Sequence, residues 1–166
     1  LQKLLGLFQQ ARLPAAWGFS DPASNRFVTD LVAEPEMHEV VLLGDTSWIS
    51  RDAGRKGFCQ HLVRRVSTAR QAGCELSTLA IYDGELTSDY DLLAKHQISM
   101  VRYPRRRRRS KDHSQRHRSL RYGLWEAPSA VSVSPRTPVL TWQPSRVVKR
   151  VIRRTIRYGG VGHLVL

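Results

Sequence analysis

The chain has 166 residues, of which 41% are hydrophobic and 25% are charged, and its formal net charge is +13 at pH 7. This apolar content suffices for one folded domain over residues 1–166 and excludes a wholly disordered chain. No apolar run approaches the roughly 20 residues of a membrane span, and two cysteines are too few for a disulfide scaffold or a four-cysteine zinc module. The cytoplasm is favoured over the cell envelope as the compartment.

The first part of the chain alternates between helical and extended patterns. Apolar residues at helical spacing predict a helix that ends before Pro14, and the short apolar run Ala15–Phe19 follows. A second short helix is predicted between Phe27 and Pro35. The uninterrupted apolar residues within His38–Gly44 are typical of a strand that is buried on both faces.

The clearest predicted element is a helix over 55–73. One apolar stripe runs along it, formed by Phe58, Leu62, Val66 and Ala69. Gly73 is a natural residue just past the end of a helix. After this helix the pattern predicts a strand over 76–82, a helix beginning at Ser88 and a strand over 98–101.

Two segments carry the basic surplus. Residues 1–101 hold ten Lys and Arg against twelve Asp and Glu, whereas 102–121 hold ten against one and 146–157 hold six against none. The run Arg105–Arg109 lies in a predicted basic surface loop over 104–118. This loop is interpreted either as a patch for a polyanion or as a solvated surface, and 104–118 contain no aromatic residue for base stacking.

The last third of the chain continues the alternation. A strand is predicted over Leu120–Trp125, a Pro- and Ser-rich extended connection over 127–145, a helix from Ser145 to Gly159, and a final strand from His163. Helices that alternate with strands predict right-handed βαβ units and a parallel sheet. We therefore expect an α/β fold, and more specifically a distorted parallel-stranded (β/α) barrel that is incomplete at its amino terminus.

The order of these motifs resembles one known family. A leucine-rich helix leads into Arg12–Phe19, His38–Val40 opens the next strand, and the long helix precedes Cys74–Gly84 and Leu93–Ile98. Over residues 1–103 this order is similar to that of the NodB-homology polysaccharide deacetylases, carbohydrate esterase family 4. The resemblance implies a distorted barrel of parallel strands wrapped by helices, with the family's first strand upstream of the present sequence.

The resemblance also implies a chemistry. In this family one Asp and two His hold a divalent metal that polarises an acetyl carbonyl, an Asp base activates water, and a late His acts as general acid. When the family's motif is aligned from His38 and Glu39, its two metal histidines correspond to Leu43 and Ser47. When the motif is aligned on Thr46, they correspond to Asp45 and Ile49. Neither alignment gives two histidines. We therefore assign no metal ligand, and zinc would bind only if an upstream strand supplied ligands. The implied function is action on N- or O-acetyl groups of a carbohydrate, with hydrolytic activity either retained or lost.

The candidate site residues follow the predicted carboxyl ends of strands, where loops converge over a parallel barrel. The catalytic candidates are Asp45, Tyr82, Asp83 and His163, and the substrate-binding candidates are Trp48, Glu85 and Trp125. Several have a plainer alternative: an Asx turn at Asp45, a lid over the barrel mouth for Trp48, and a turn without chemistry at Tyr82–Gly84. His38 is interpreted as a hydrogen-bonded strand residue rather than a ligand.

Two other functions stay open. The segment Arg51–Gly57 before the long helix could hold a pyrophosphate, as in an N-acetyltransferase. The acyl-CoA signature of those enzymes has a small residue at the position of Lys56, so the match is broken there. A binding module for a polyanion or nucleic acid would use 102–121 and 146–157, and its binding would weaken steeply with salt.

Overall fold

The protein is described by a computed structural model, which covers residues 2–50, 53–81, 86, 88–103, 118–127, 131–133 and 162–164. The helices in these ranges are α1 (Gln2–Gln10), α2 (Phe27–Val32), α3 (Gly54–Gln71) and α4 (Tyr90–Lys95). The strands are β1 (Ala15–Phe19), β2 (His38–Gly44), β3 (Thr78–Ile81), β4 (Met100–Arg102), β5 (Arg118–Ser119), β6 (Trp125–Ala127), β7 (Val131–Val133) and β8 (Gly162–Leu164). Short 3₁₀ helices cover Pro22–Ser24 and Arg121–Gly123. Among the described helices, none has the length and apolar character to cross a membrane.

Six strands form one sheet in the order β1-β2-β3-β4-β6-β5. Every neighbouring pair is parallel except β5 with β6, which is antiparallel. The predicted α/β class with a mostly parallel sheet is therefore confirmed, but over the described ranges the sheet stays open and does not close into a barrel. Strands β7 and β8 form a separate parallel pair.

The helices pack on one face of the six-stranded sheet. Because β1 to β4 follow one another in chain order, right-handed crossovers place each connecting helix on the same side. Leu42, Leu79 and Val101, which are aligned across β2, β3 and β4, belong to a single apolar cluster with residues of all four helices. Val41 and Ala127 point to the opposite side because side chains alternate along a strand, and they are buried but lie outside that cluster.

We call this opposite side the open face, since no described helix packs on it. Its residues include Gly18, Val41, Thr78, Met100 and Trp125, which are aligned across the strands from β1 to β6. An ion pair crosses it, with Arg102 Nη2 lying 3.1 Å from Glu39 Oε2. The Thr78 hydroxyl donates to the other oxygen of Glu39. These contacts join β2, β3 and β4 through side chains as well as through the backbone ladder.

The predicted strand over Leu120–Trp125 is wrong. Tyr122 and Gly123 have φ values of 61° and 74°, so the chain turns there instead of staying extended. The Leu120 amide donates to the Leu124 carbonyl at 2.8 Å, which closes the turn between β5 and β6. Of the other predictions for the second half, the Arg105–Arg109 run and the helix from Ser145 lie outside the described residues.

The carboxyl end of α3 confirms the stop predicted at Gly73. Gly73 has φ of +76°, and the Cys74 amide donates to the Ala69 carbonyl at 2.9 Å. The Gly73 amide donates to the Arg70 carbonyl at 2.9 Å, which completes a Schellman motif. Only glycine adopts this left-handed conformation without a steric penalty.

We expect Gly73→Ala to lower the free energy of unfolding by about 1 kcal/mol, because a Cβ is strained at positive φ. The matched control is Gly6→Ala in α1, where an added Cβ would meet no atom within 4 Å. That change should raise the free energy of unfolding by about 0.5–1 kcal/mol, since alanine favours the helix. Urea unfolding followed by far-ultraviolet circular dichroism measures both values, and effects of the same sign would contradict the assignment.

Candidate functional site

The carboxyl ends of the first strands lie along one edge of the sheet. Phe19 of β1 is aligned with Leu42 of β2, and Gly44 of β2 is aligned with Ile81 of β3. We call this the carboxyl edge. It is where ligands usually bind in parallel sheets, because the loops that follow the strands converge there.

Asp45 is the first residue after β2 and lies at this edge, half-buried. Its Oδ1 accepts a hydrogen bond from the Ser47 amide at 2.9 Å and a second from the Ser47 hydroxyl. The Trp48 and Ile49 amides donate to the Asp45 carbonyl at 3.2 and 2.8 Å. The Asx turn considered for Asp45 is therefore present. Within the described part of the chain, Oδ2 accepts no hydrogen bond.

Arg65 reaches the same edge from α3. Its Nε donates to the Ser20 carbonyl at 3.0 Å, and its Nη1 lies 3.0 Å from His61 Nδ1. Burial lowers the pKa of the Arg65 guanidinium and nearby Arg64 adds to this, while Asp45 and Asp21 act in the opposite direction. The edge therefore combines the Asp45 acceptor with a half-buried cation that stays protonated because arginine has so high a pKa.

Sequence reasoning missed the position of Arg65 at this edge. The helical pattern places this residue off the apolar stripe of α3, which is typical of a solvent-exposed arginine. The Arg65 side chain reaches the end of β1 because α3 packs against the 3₁₀ helix Pro22–Ser24. No local sequence pattern encodes that contact.

Trp48 lies in the core rather than at the surface. Its side chain is fully buried, and its ring stacks on Phe58 with centroids 5.7 Å apart and an interplanar angle of 9°. The Arg65 guanidinium carbon lies 4.9 Å from the Trp48 ring centroid. Since Phe58 and Arg65 occupy the ring faces, a sugar cannot stack on Trp48 in this structure, and we do not carry Trp48 forward as a substrate-binding residue.

Tyr82, Asp83 and Glu85 lie outside the described residues, although β3 ends at Ile81 next to Gly44. His163 lies in β8 opposite Ser132, in the separate two-stranded sheet.

Trp125 lies on the open face, in one row with Met100, Thr78 and Val41. Val41, the member of this row in β2, precedes Asp45 by four residues, which is about 13 Å along the strand. Trp125 in β6 lies three strand spacings from β2, which is about 14 Å across the sheet. The structure therefore separates Trp125 from Asp45.

The described residues do not fit the metal that the resemblance implies. Within the described ranges, no group of three or more His, Cys, Asp or Glu side chains converges on one point. His38, at the start of β2, is buried, and its Nδ1 accepts a hydrogen bond from Trp17 Nε1 at 3.4 Å. This is the hydrogen-bonded strand histidine that the sequence predicts.

Comparison with known proteins gives no family, curated protein or solved structure that matches this chain.

Proposed function

We propose that this chain is a carbohydrate-active domain of the polysaccharide-deacetylase type, which hydrolyses acetyl groups of a polysaccharide at the carboxyl edge. The observation that carries the proposal is the position of Asp45, directly after β2 in a parallel sheet whose first four strands follow chain order. This is the segment in which the motif resemblance puts the family's site. The one-sided arrangement of the helices supports the finer fold that we propose, a barrel segment whose interior is the open face.

Asp45 is the proposed general base. Ser47 holds one carboxylate oxygen and fixes the orientation of the group, and we assign the other oxygen to the attacking water molecule. In the proposed reaction the water oxygen bonds to the acetyl carbon and its proton passes to Asp45. The bond from that carbon to the sugar nitrogen or oxygen then breaks, the sugar takes the proton from Asp45, and acetate leaves.

Arg65 is the proposed source of positive charge at this edge. Negative charge develops on the acetyl oxygen as water attacks, and a preorganised cation in a partly dry site stabilises it. The contacts of Arg65 with Ser20 and Trp48 hold the guanidinium in place before substrate binds. Because the described residues do not fit a metal, this chemistry is assigned to the side chains of the chain itself.

The parallel sheet also favours this proposal over the N-acetyltransferase alternative, whose sheet is mixed and mostly antiparallel. Of the strand pairs in the main sheet, only β5 with β6 is antiparallel.

We expect Asp45→Asn to reduce the rate of acetate release from an N-acetylated chitooligosaccharide or an acetylated xylan by about 100-fold or more, as for loss of a general base. Asparagine keeps an oxygen that accepts from Ser47, so the turn and the fold should persist. The measurement is enzymatic quantification of free acetate, with thermal unfolding of each variant as the folding check.

Asp30→Asn is the matched control for this experiment. Asp30 is an exposed carboxylate on α2, and this variant should release acetate at the wild-type rate. Two outcomes would contradict the proposal: a wild-type protein that releases no acetate from either substrate, or a folded Asp45→Asn variant that is as active as wild type.

A further inference from the structure

Arg65 is held at the carboxyl edge by three contacts, and the proposed function uses only two of them. Its Nε donates to the Ser20 carbonyl at 3.0 Å, and its guanidinium carbon lies 4.9 Å from the Trp48 ring centroid. The third contact joins Arg65 Nη1 to His61 Nδ1 at 3.0 Å. His61 is half-buried and lies four residues before Arg65 on α3, so the two side chains are neighbours on one side of this helix.

The contact with Arg65 determines the protonation state of His61. A guanidinium has N–H donors only and stays protonated in proteins, so Arg65 donates and His61 Nδ1 accepts. A ring nitrogen that accepts carries no proton, and the proton of the neutral imidazole therefore lies on Nε2. An imidazolium ring would have no acceptor and would place a second cation beside Arg65. The neutral form with its proton on Nε2 is therefore the form that holds Arg65.

The His61 contact also determines how the guanidinium is oriented. The group is planar, so hydrogen bonds at Nε and Nη1, together with the Trp48 ring against it, fix its plane. The His61 carbonyl oxygen lies 3.5 Å from the same Nη1, which is too long for a strong hydrogen bond. Within the described ranges, Nη2 donates no hydrogen bond. The direction of Nη2 therefore depends on the imidazole of His61.

We propose that His61 is a positioning residue of this site, which holds Arg65 through its neutral Nδ1 and thereby aims Nη2 at the oxygen of the acetyl group. Its part in the reaction rests on the proposed function, in which Arg65 stabilises negative charge on that oxygen. A cation that is oriented before the charge develops stabilises the transition state more than one that must first be ordered. His61 acts through Arg65 and takes no proton in the reaction.

The first arm of the test is the kinetics of acetate release. His61→Ala should lower kcat about tenfold and change KM by about twofold or less, because the lost hydrogen bond acts in the transition state. His61→Asn should keep kcat within about threefold of wild type, since its amide oxygen is bonded to Cγ as Nδ1 is and can accept from Arg65. Gln60→Ala, at an exposed neighbour on α3, is the matched control and should keep the wild-type kcat.

The second arm tests the contact without an activity measurement, by NMR of the histidine ring nitrogens in isotope-labelled protein. The His61 Nδ1 signal should be that of an unprotonated nitrogen, and it should move downfield in Arg65→Met because the nitrogen loses its hydrogen-bond donor. Arg64→Met removes an exposed arginine from the same helix and should leave the signal in place. His61→Asn assigns the signals by removing them.

Three outcomes would overturn the role of His61. They are a wild-type kcat in a folded His61→Ala variant, a His61→Asn variant as slow as His61→Ala, and an Nδ1 signal that Arg65→Met leaves unchanged. Thermal unfolding checks that each variant is folded. A wild-type protein that releases no acetate but has an Arg65-dependent Nδ1 signal would refute the proposed function and leave His61 as the residue that holds Arg65. Acetate release with an Nδ1 signal that is independent of Arg65 would refute the role of His61 alone.

Discussion

Trp48→Ala should lower the free energy of unfolding by about 3–5 kcal/mol, the range for deletion of a buried aromatic side chain. The side chain is fully buried and stacked on Phe58, so its removal leaves a cavity between α3 and the end of β2. The change also removes the ring beneath the Arg65 guanidinium. Urea unfolding followed by far-ultraviolet circular dichroism measures the loss without relying on tryptophan fluorescence.

Two further variants separate packing from other effects. Trp48→Phe keeps a ring against Phe58 and deletes an indole N–H that has no hydrogen-bond partner among the described residues, so its cost should be about 1–2 kcal/mol. Trp125→Ala removes the same type of side chain from an exposed site and should change stability by about 0.5 kcal/mol or less. A cost for Trp48→Ala as small as that for Trp125→Ala would contradict the core position of Trp48.

Gly44→Ala should be the second strongly destabilising change, with a loss of about 2–3 kcal/mol from overpacking. A Cβ at this position would lie 2.1 Å from Ile49 Cδ1 and 3.3 Å from Leu79 Cδ1. Ile49 is 2% exposed and lies in the core, so its side chain must repack to accommodate the added methyl group. The absence of a side chain at Gly44 leaves room for the side chain of Ile49.

A double-mutant cycle isolates this contact. Ile49→Val deletes the clashing methyl group and alone should cost about 0.5–1.5 kcal/mol. Combined with Gly44→Ala it should recover about 1 kcal/mol or more relative to the sum of the single changes. Gly57→Ala is the control, because its Cβ would meet only the Ala53 Cβ at an ordinary 3.6 Å. Strict additivity of the Gly44 and Ile49 changes would contradict the close approach.

Local patterns were sufficient for the elements with strong periodicity. The apolar run of β2 and the stripe of α3 predict both elements with bounds close to those observed, because burial of each pattern leaves few alternatives. The turn at Tyr122 and Gly123 was missed, since apolar and polar residues alternate through it as they do in a strand. A tyrosine at positive φ is uncommon, so residue type does not indicate the turn at this position.

The candidate site was predicted less completely than the fold. The position of Asp45 at the carboxyl end of β2 was predicted because a polar residue directly follows an apolar run, which local sequence reveals. The burial of Trp48 and the approach of Arg65 depend on where α3 packs, and residue type alone does not distinguish a core tryptophan from a surface one. The separation of Trp125 from Asp45 follows from sheet order and register, which sequence spacing does not encode.

The order of β1 to β4 has a consequence for how the protein assembles during synthesis. Strands that are adjacent in the sheet are also adjacent in the chain, so each new strand can pair with an edge that has already left the ribosome. Among β1 to β4 no strand has to insert late between two earlier ones, whereas β6 does lie between the earlier strands β4 and β5. Truncated nascent chains that end after β2, β3 or β4 should therefore gain protease resistance in steps, one βα unit at a time.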